Sequence, residues 1–220
     1  MLFRIACHIS PQKSRLKRLF ACLMLLLVAF APPLLAQNEK DIAIFLKTVG
    51  QVQLNRNGNG QWYLAKRGSR LHSGNIVQTG DKSLASIVFT DDKSLLKVRS
   101  KSRITINGRR EDEQIKKTIL MRLGELWAKV TKGSFYRVET PNGVAAVKGT
   151  QFYAFSGDTM RIFCTDGLIE GETNRGKLLL YPGEVAEMRR DAPPTKRPFT
   201  ADELPNWAAD ETEETLEVEF

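Results

Sequence analysis

A chain of 220 residues, 42% of them hydrophobic, is long enough to bury one independent core and too short for two full domains. Apart from the adjacent Cys7 and His8, the two histidines and three cysteines stand far apart, so no His/Cys cluster has the spacing of a zinc site. The formal net charge of +8 is unevenly spread, because five positive charges and no acidic residue lie in the first 36 residues.

Residues 1–36 have the layout of a secretory signal peptide. The basic stretch is followed by an apolar run at 19–30, which is short compared with the about 20 residues that span a bilayer. We expect cleavage after Ala36; an uncleaved segment would remain as a signal anchor, the one membrane attachment that we expect. The body is therefore predicted to be periplasmic or secreted. Removal of the five positive charges lowers the net charge from +8 to +3.

The same cleavage leaves Cys164 and His72 as the only cysteine and histidine of the mature chain. An intrachain disulfide is then impossible. Cys164 is interpreted as a small buried apolar residue, the alternative being a reactive or intermolecular thiol. No Ser/His/Asp or Cys/His set and no calcium-loop spacing is present. We therefore predict a protein that is not an enzyme and needs no cofactor or metal.

Strand patterns dominate residues 49–188, after a short N-terminal segment at 37–48. Alternating or β-branched runs of about three to six residues lie at 50–54, 85–89, 95–98, 104–106, 119–123, 126–130, 135–139, 144–147, 152–155, 161–164 and 177–180. Turn pairs such as Asn107-Gly108 favour antiparallel hairpins, whereas a Gly-led phrase at 124–126, 167–172 and 183–185 suggests stacked rungs. The prediction is an all-β domain of short strands, either β-solenoid-like or sandwich-like.

Residues 189–220 form a Pro-rich and then acidic tail. The last twenty residues hold eight acidic residues and no Lys or Arg, which leaves a formal charge of +11 on residues 37–199. The tail is predicted to be mobile, or to form a short helix around 201–207 that docks through Trp207. The basic body has two interpretations: a face for an acidic partner, or a solvated surface balanced by the tail itself.

Several ordered pieces between residues 49 and 188 resemble the FecR-domain family. They are Gly50-Gln51-Val52, Leu64-x3-Gly68-x2-Leu71-x2-Gly74-x2-Val77-x-Thr79-Gly80, Ser83-x-Ala85-x-Ile87-x-Phe89-x-Asp91-Asp92, Leu123-Gly124-Glu125-Leu126, Thr140-Pro141-x3-Ala145-x-Val147-Lys148-Gly149-Thr150-x-Phe152, Asp166-Gly167 and Pro182-Gly183-Glu184.

The resemblance implies an extracytoplasmic β-rich domain, similar to the periplasmic part of the iron-dicitrate transport regulator, which relays a signal through protein contact. That regulator carries a cytoplasmic anti-sigma segment before its membrane helix. Here only about eighteen residues precede the apolar run, which leaves no room for such a segment. The resemblance therefore implies the type of domain but not the signalling role.

Three groups of residues are candidates for a recognition surface. Lys148 and Thr150 flank Gly149 in the best-matched motif, where a structural turn is the alternative. Arg99, Lys101 and Arg103 belong to a basic run whose alternation is typical of the solvent-exposed face of a strand. Trp62 is either an exposed platform or a strand-pair aromatic.

These observations predict a non-enzymatic binding or regulatory module that recognises another protein of the cell envelope. A glycan or cell-wall binder is the alternative, suggested by the basic body and Trp62. An envelope hydrolase is the third class, and it requires converging acidic residues that the sequence does not indicate. Nucleic acid is not an expected partner, because the predicted compartment excludes it and no aromatic-interleaved stacking motif is present.

Overall fold

The computed structural model describes residues 40–56, 58 and 60–205, and in this part the chain forms strands and one short 3-10 turn, Ala201–Glu203. The strands are β1 Ala43–Val49, β2 Val52–Asn55, β3 Trp62–Leu64, β4 Arg70–Leu71, β5 Asn75–Thr79, β6 Leu84–Phe89, β7 Leu95–Val98, β8 Arg103–Glu111, β9 Gln114–Lys129, β10 Tyr136–Thr140, β11 Gly143–Ser156, β12 Met160–Thr173, β13 Gly176–Leu180, β14 Glu184–Met188 and β15 Thr195–Pro198. The all-β prediction is confirmed. Within the described residues no helix is long and apolar enough to cross a membrane.

Three strands are much longer than predicted. β9 has 16 residues, and β11 and β12 have 14 each, so β9 and β11 each unite two of the predicted short runs. Glycines with positive φ lie inside them: Gly124 at 116°, Gly149 at 59° and Gly167 at 81°. These glycines mark bends within continuous strands, because L side chains rarely adopt such φ values.

The bends divide one open 15-stranded sheet into two halves. Half A has the order β4-β1-β6-β7-β9-β11-β12-β14-β15, with residues 124–129, 151–156 and 160–166 of the three long strands. Half B has the order β3-β2-β5-β8-β9-β10-β11-β12-β13, with residues 114–123, 143–148 and 168–173 of the same strands.

The main core lies between the two halves. Leu96 and Ala128 of half A belong to the same buried cluster as Ile106 and Val138 of half B. Among the described strands only β9 and β10 pair in parallel, whereas the stacked coils of a parallel solenoid require parallel pairing throughout. The arrangement is therefore sandwich-like. The recurring Gly-led sequence marks bends and a turn and does not mark the stacked coils of a solenoid.

Asn107-Gly108 is not a hairpin turn, contrary to the sequence prediction. Both residues lie inside β8, where Gly108 pairs with Lys117. A Cβ atom at Gly108 would lie 2.8 Å from Cγ2 of Ile115, so the glycine permits close packing. The hairpin closes instead at residues 112–113, with φ of 55° at Asp112.

The sheet extends beyond the bounds predicted for the β domain. Strand β1, all but the last residue of which falls in the segment predicted to precede the domain, lies in half A between β4 and β6. Strand β15, inside the predicted tail, pairs with β14 at the edge of half A. The predicted signal peptide and the acidic residues after 205, with Trp207, lie outside the described residues.

The bend in β9 is fixed by a hydroxyl-bearing neighbour. The Ser102 hydroxyl accepts a hydrogen bond of 3.0 Å from the Glu125 backbone N–H and lies 3.3 Å from the Glu125 carbonyl oxygen, at the point where the chain passes from β7 to β8. A Cβ atom at Gly124 would lie 2.1 Å from Oγ of Ser102 and 2.5 Å from its Cα. Only glycine fits this contact.

We expect Gly124→Ala to lower the free energy of unfolding by about 2 kcal/mol, because it combines a positive φ with a steric overlap against the backbone of Ser102. Gly157→Ala is the matched control, since no atom lies within 4 Å of its Cβ position. Urea unfolding of the two variants measures the difference, and equal midpoints would contradict this account of the bend.

Candidate functional site

A second apolar cluster lies on the outward side of half A. Leu126 and Ala128 point into the main core, so Trp127 between them points outward. Its cross-strand neighbours form one row across five strands: Lys97, Trp127, Tyr153, Phe163 and Val185. We call this row and the one beside it the outer face.

The neighbouring row carries charge beside aromatic rings. Phe155 pairs with Glu125 on one side and with Arg161 on the other, and the Arg161 guanidinium lies 5.1 Å from the centre of the Phe155 ring. The backbone N–H of Arg99 donates to the Glu125 carbonyl oxygen at 3.0 Å. A shallow cleft of about 460 Å³ opens here, lined by Arg99, Ser100, Glu125, Phe155, Arg161, Glu203 and Pro205.

The C-terminal arm, residues 195–205, covers part of this face. The Phe199 ring packs edge-on against Phe163 at 5.4 Å between centroids, and Leu204 packs on the same cluster. Arg197 donates to both carboxylate oxygens of Glu203, at 2.8 and 2.6 Å. The hydrogen bonds from Arg197 and from the Thr200 backbone lower the pKa of Glu203 to about 2, so its carboxylate stays ionised at neutral pH.

The predicted basic candidates do not form one surface. Arg99 is half-buried and lines the cleft on half A, whereas Arg103 begins β8 on half B. Lys101 lies in the crossing between the halves, exposed, with its ammonium 3.1 Å from the carboxylate of Asp81. The three basic residues alternate with other residues along the sequence, but the chain crosses from one half of the sheet to the other between them. They therefore cannot lie on a single strand face.

Trp62 and Arg103 meet on the outward side of half B. The Arg103 guanidinium lies 5.3 Å from the centre of the Trp62 ring, which is half-buried. Asn55, the cross-strand neighbour of Trp62, is 3% exposed. Trp62 is therefore neither a core aromatic nor a freely exposed platform, because the Arg103 guanidinium packs against one face of its ring.

Lys148 and Thr150 are placed differently by the bulge at Gly149. Lys148 is exposed opposite Leu168 on half B. Thr150 is 1% exposed, and its hydroxyl lies 3.1 Å from the Lys148 carbonyl oxygen and 3.2 Å from that of Leu168. The Thr150 hydroxyl therefore bonds to backbone carbonyl oxygens inside the bend, as expected of a structural turn.

We expect Thr150→Val to lower the free energy of unfolding by about 1 kcal/mol, since it deletes a hydrogen bond inside a bend without changing the side-chain shape. Lys148→Met, two residues away on the surface, is the control and should leave stability unchanged within about 0.5 kcal/mol. Chemical denaturation compares them. A neutral Thr150→Val would show that the hydroxyl does not hold the bend.

A buried ionic cluster was missed by the sequence analysis, which gave Asp91-Asp92 only as part of a FecR-like piece and did not single out Lys117. The Lys117 ammonium donates to Asp91 and Asp92 at 2.7 Å each, with exposed side-chain fractions of 0%, 2% and 11%. The spacing of Ile115, Lys117 and Ile119 was the available signal, because it places Lys117 among the inward residues of β9.

Two further side chains with reactive chemistry are held in structural contacts. Cys164 is fully buried in β12, as predicted, and burial together with Asp166 and Glu184 raises its thiol pKa to about 11. His72 Nε2 lies 3.4 Å from the carboxylate of Asp41. Within residues 40–205, apart from 57 and 59, no group of three or more His, Cys, Asp or Glu is arranged to hold a metal ion.

Comparisons with known proteins agree with this fold. Residues 75–170 match the sequence model of the FecR protein family, so the FecR resemblance is confirmed. A 2.50 Å structure from Parabacteroides distasonis ATCC 8503, provisionally described as an anti-sigma factor, superposes with a TM-score of 0.52 at 15% identity, covering 60% of this chain and 63% of that chain. A 1.65 Å structure with the same description gives 0.48 at 15% identity, covering 58% and 61%. The match spans less than two thirds of those chains and shows the fold alone. No curated protein matches the chain.

Proposed function

We propose that this chain, which carries a FecR domain at residues 75–170, is a non-enzymatic regulatory module that binds another cell-envelope protein through the outer face of half A. The observation that carries the proposal is the cleft on the outward side of half A, where the exposed Arg161 lies over the half-buried Phe155 ring; the aromatic row beside it is buried. Aromatic side chains and arginines are the residues that most often anchor protein interfaces.

The two arginines of the cleft favour an acidic partner segment, because one of its two glutamates, Glu203, is already paired with Arg197. Arg161 is exposed beside the Phe155 ring, and Arg99 lies across the same cleft. A guanidinium binds a carboxylate with two parallel hydrogen bonds and stacks on an aromatic ring at the same time. We therefore propose a partner segment that presents carboxylates next to apolar side chains.

The envelope location is part of the proposal and is supported by the sequence of residues 1–36. A basic stretch followed by a short apolar run directs export. The buried thiol of Cys164 fits an oxidising compartment, because a buried thiol with a raised pKa is protected from oxidation.

Crosslinking in the native host, followed by mass spectrometry, tests the proposal. The tagged wild-type chain should capture one dominant envelope protein, and the Arg161→Glu variant should lose that capture. Arg109→Glu, on the exposed β8–β9 hairpin of half B, is the matched control and should retain it. Capture that is equal in all three chains, or no captured protein at all, contradicts the proposal.

Glycan or cell-wall binding is the second candidate, favoured by the Trp62 ring with its bound arginine on half B. Sedimentation with purified peptidoglycan distinguishes the two. Retention that is lost in Trp62→Ala and kept in Arg161→Glu would support glycan binding through half B. It would contradict protein recognition through the outer face. We expect no retention.

A further inference from the structure

We propose that an exposed patch on half B, next to the bend at Gly149, docks the protein on an anionic membrane surface. Five side chains form this patch, which we call the bend patch: Phe135, Lys148, Leu168, Leu179 and Tyr181. The bend patch is separate from the proposed partner site, because the outer face lies on half A. It is also separate from the membrane attachment expected from residues 1–36.

Strand pairing places four residues of the bend patch in one row. Four core residues lie opposite one another across β10, β11, β12 and β13: Tyr136, Val147, Ile169 and Leu180. None of them is more than 1% exposed. Successive side chains of a strand point to opposite sides of the sheet, so the adjacent positions point outward. These positions are, in strand order, Phe135, Lys148, Leu168 and Tyr181. At about 5 Å per strand the row is about 15 Å long.

The bend patch concentrates the exposed apolar surface of the protein. Eight large apolar or aromatic side chains are exposed among the described residues, and half of them belong to the patch. Their exposed fractions are 37% for Phe135, 42% for Leu168, 43% for Leu179 and 53% for Tyr181. Single exposed apolar residues are ordinary, whereas a contiguous group marks contact with another molecule or with a membrane.

Lysines surround the apolar side chains. Lys148 lies within the row, opposite Leu168. Lys132 lies next to it, because a Cβ atom at Gly149 would lie 2.7 Å from the Lys132 Cα atom. A cleft of about 330 Å³ at the bend is lined by three lysines and one acidic residue, Lys93, Lys129, Lys132 and Asp166.

The positive charge of this region is largely uncompensated. Within the described part of the chain, Lys129, Lys132 and Lys148 have no ion pair. The acidic residue beside Leu179, Glu170, is itself held by Lys177 at 3.2 Å. The region therefore attracts an anionic surface.

A membrane fits this combination better than a protein does. The cores of protein interfaces are depleted in lysine, whereas Lys148 stands between Phe135 and Leu168 in the middle of the row. At a membrane, apolar side chains enter the headgroup region while long lysine side chains keep their ammonium groups at the level of the lipid phosphates. Tyrosine is also enriched at that level. Each lysine near an anionic lipid surface strengthens binding about fivefold.

Fluorescence quenching by vesicles tests the contact at the level of single residues. Leu168→Trp places an indole in the bend patch, and Leu64→Trp, at a 63% exposed position of β3 in the same half, is the matched control. Both variants are made in the full chain and mixed with vesicles of brominated phosphatidylglycerol and phosphatidylcholine. We expect the vesicles to quench the emission added at position 168 about twofold or more, because an indole inserted below the headgroups meets the bromine atoms. The emission added at position 64 should not change.

Charge reversal tests the anionic part of the site. Lys129→Glu, Lys132→Glu should weaken binding to the same vesicles by about 25-fold or more. Lys66→Glu, Arg67→Glu is the control, since both residues are exposed between β3 and β4 and the change in net charge is the same. The control should bind within about threefold of the wild type. Residues 1–36 are the same in every variant, so differences between variants report the surface of the domain.

Equal quenching at positions 168 and 64, or equal weakening by the two charge reversals, would overturn the docking surface. Equal quenching of Leu168→Trp by vesicles of brominated phosphatidylcholine alone would overturn the requirement for anionic lipid. A protein crosslinked from position 148 in the native host would assign the bend patch to a protein partner instead. Partner capture through Arg161 is measured separately, so the proposed function can fail while membrane docking stands.

Discussion

Lys117→Met is expected to lower the free energy of unfolding by about 3–5 kcal/mol. Lys117 is fully buried and donates to Asp91 and Asp92, so its replacement leaves two buried carboxylates without their cation. Methionine keeps the length of the side chain, which separates the loss of charge from the loss of packing. Urea unfolding followed by fluorescence measures the change.

Lys116→Met is the matched control for this variant. Lys116 is the preceding residue on β9, its side chain is 46% exposed, and its partner Glu111 is also exposed. Exposed ion pairs contribute about 0–1 kcal/mol, so the control should unfold close to the wild type. Equal losses for the two variants would contradict a structural role for the buried cluster.

The same cluster gives the stability a definite dependence on pH. Burial alone would raise the pKa of Asp92, but hydrogen bonds from Lys117, Ser134 and Ser94 outweigh it and lower the pKa below the ordinary 3.8. A lowered folded-state pKa stabilises the fold above the unfolded value and loses that contribution as the pH falls through the folded value. We expect the wild type to lose this contribution below about pH 4. The stability gap between the wild type and Lys117→Met should narrow in acid, because protonation neutralises the buried carboxylates that have lost their cation.

The double variant Arg99→Glu, Arg161→Glu is expected to weaken partner binding by about thirtyfold or more, as for an interface residue that contributes about 2 kcal/mol. Both arginines line one cleft on the outer face, so charge reversal repels an acidic segment and removes the cation beside Phe155. Titration calorimetry with the captured partner measures the affinity.

Arg109→Glu, Arg110→Glu is the control for the charge reversal. Both residues are exposed on the β8–β9 hairpin of half B, and the change in net charge is the same. The control should bind the partner with an affinity within about threefold of the wild type, because charges outside an interface change the affinity little. Equal weakening in both variants would assign the effect to overall charge rather than to the outer face.

Strand positions could be predicted from the sequence because burial on one side imposes a period of two. The runs at 85–89, 95–98 and 177–180 coincide with β6, β7 and β13 within a residue. Strand lengths could not be predicted at Gly124 and Gly149. A glycine with positive φ ends a strand at a turn or bends it at a bulge, and only the partner strand decides which.

The candidate site was recovered only in part. Arg99 was identified, but the residues that make its cleft, Phe155 and Arg161, are distant in sequence from it and meet only through the pairing of β9, β11 and β12. Thr150 was left between a structural turn and a recognition groove, because the sequence does not show that a bulge turns its hydroxyl inward. The outward cluster at Trp127 was not predicted, because alternation separates the two faces of a strand but does not show that both faces are covered.

The most direct test of the outer face as the partner site is site-specific photocrosslinking in the native host. A photoreactive residue is placed in turn at Arg161 on the outer face, at Lys148 on half B and at Arg109 on the distant hairpin, all three of which are exposed. Crosslinking of one envelope protein from position 161 alone is the predicted result. Crosslinking from position 148 or 109 with none from 161 would contradict the account and move the binding site to half B.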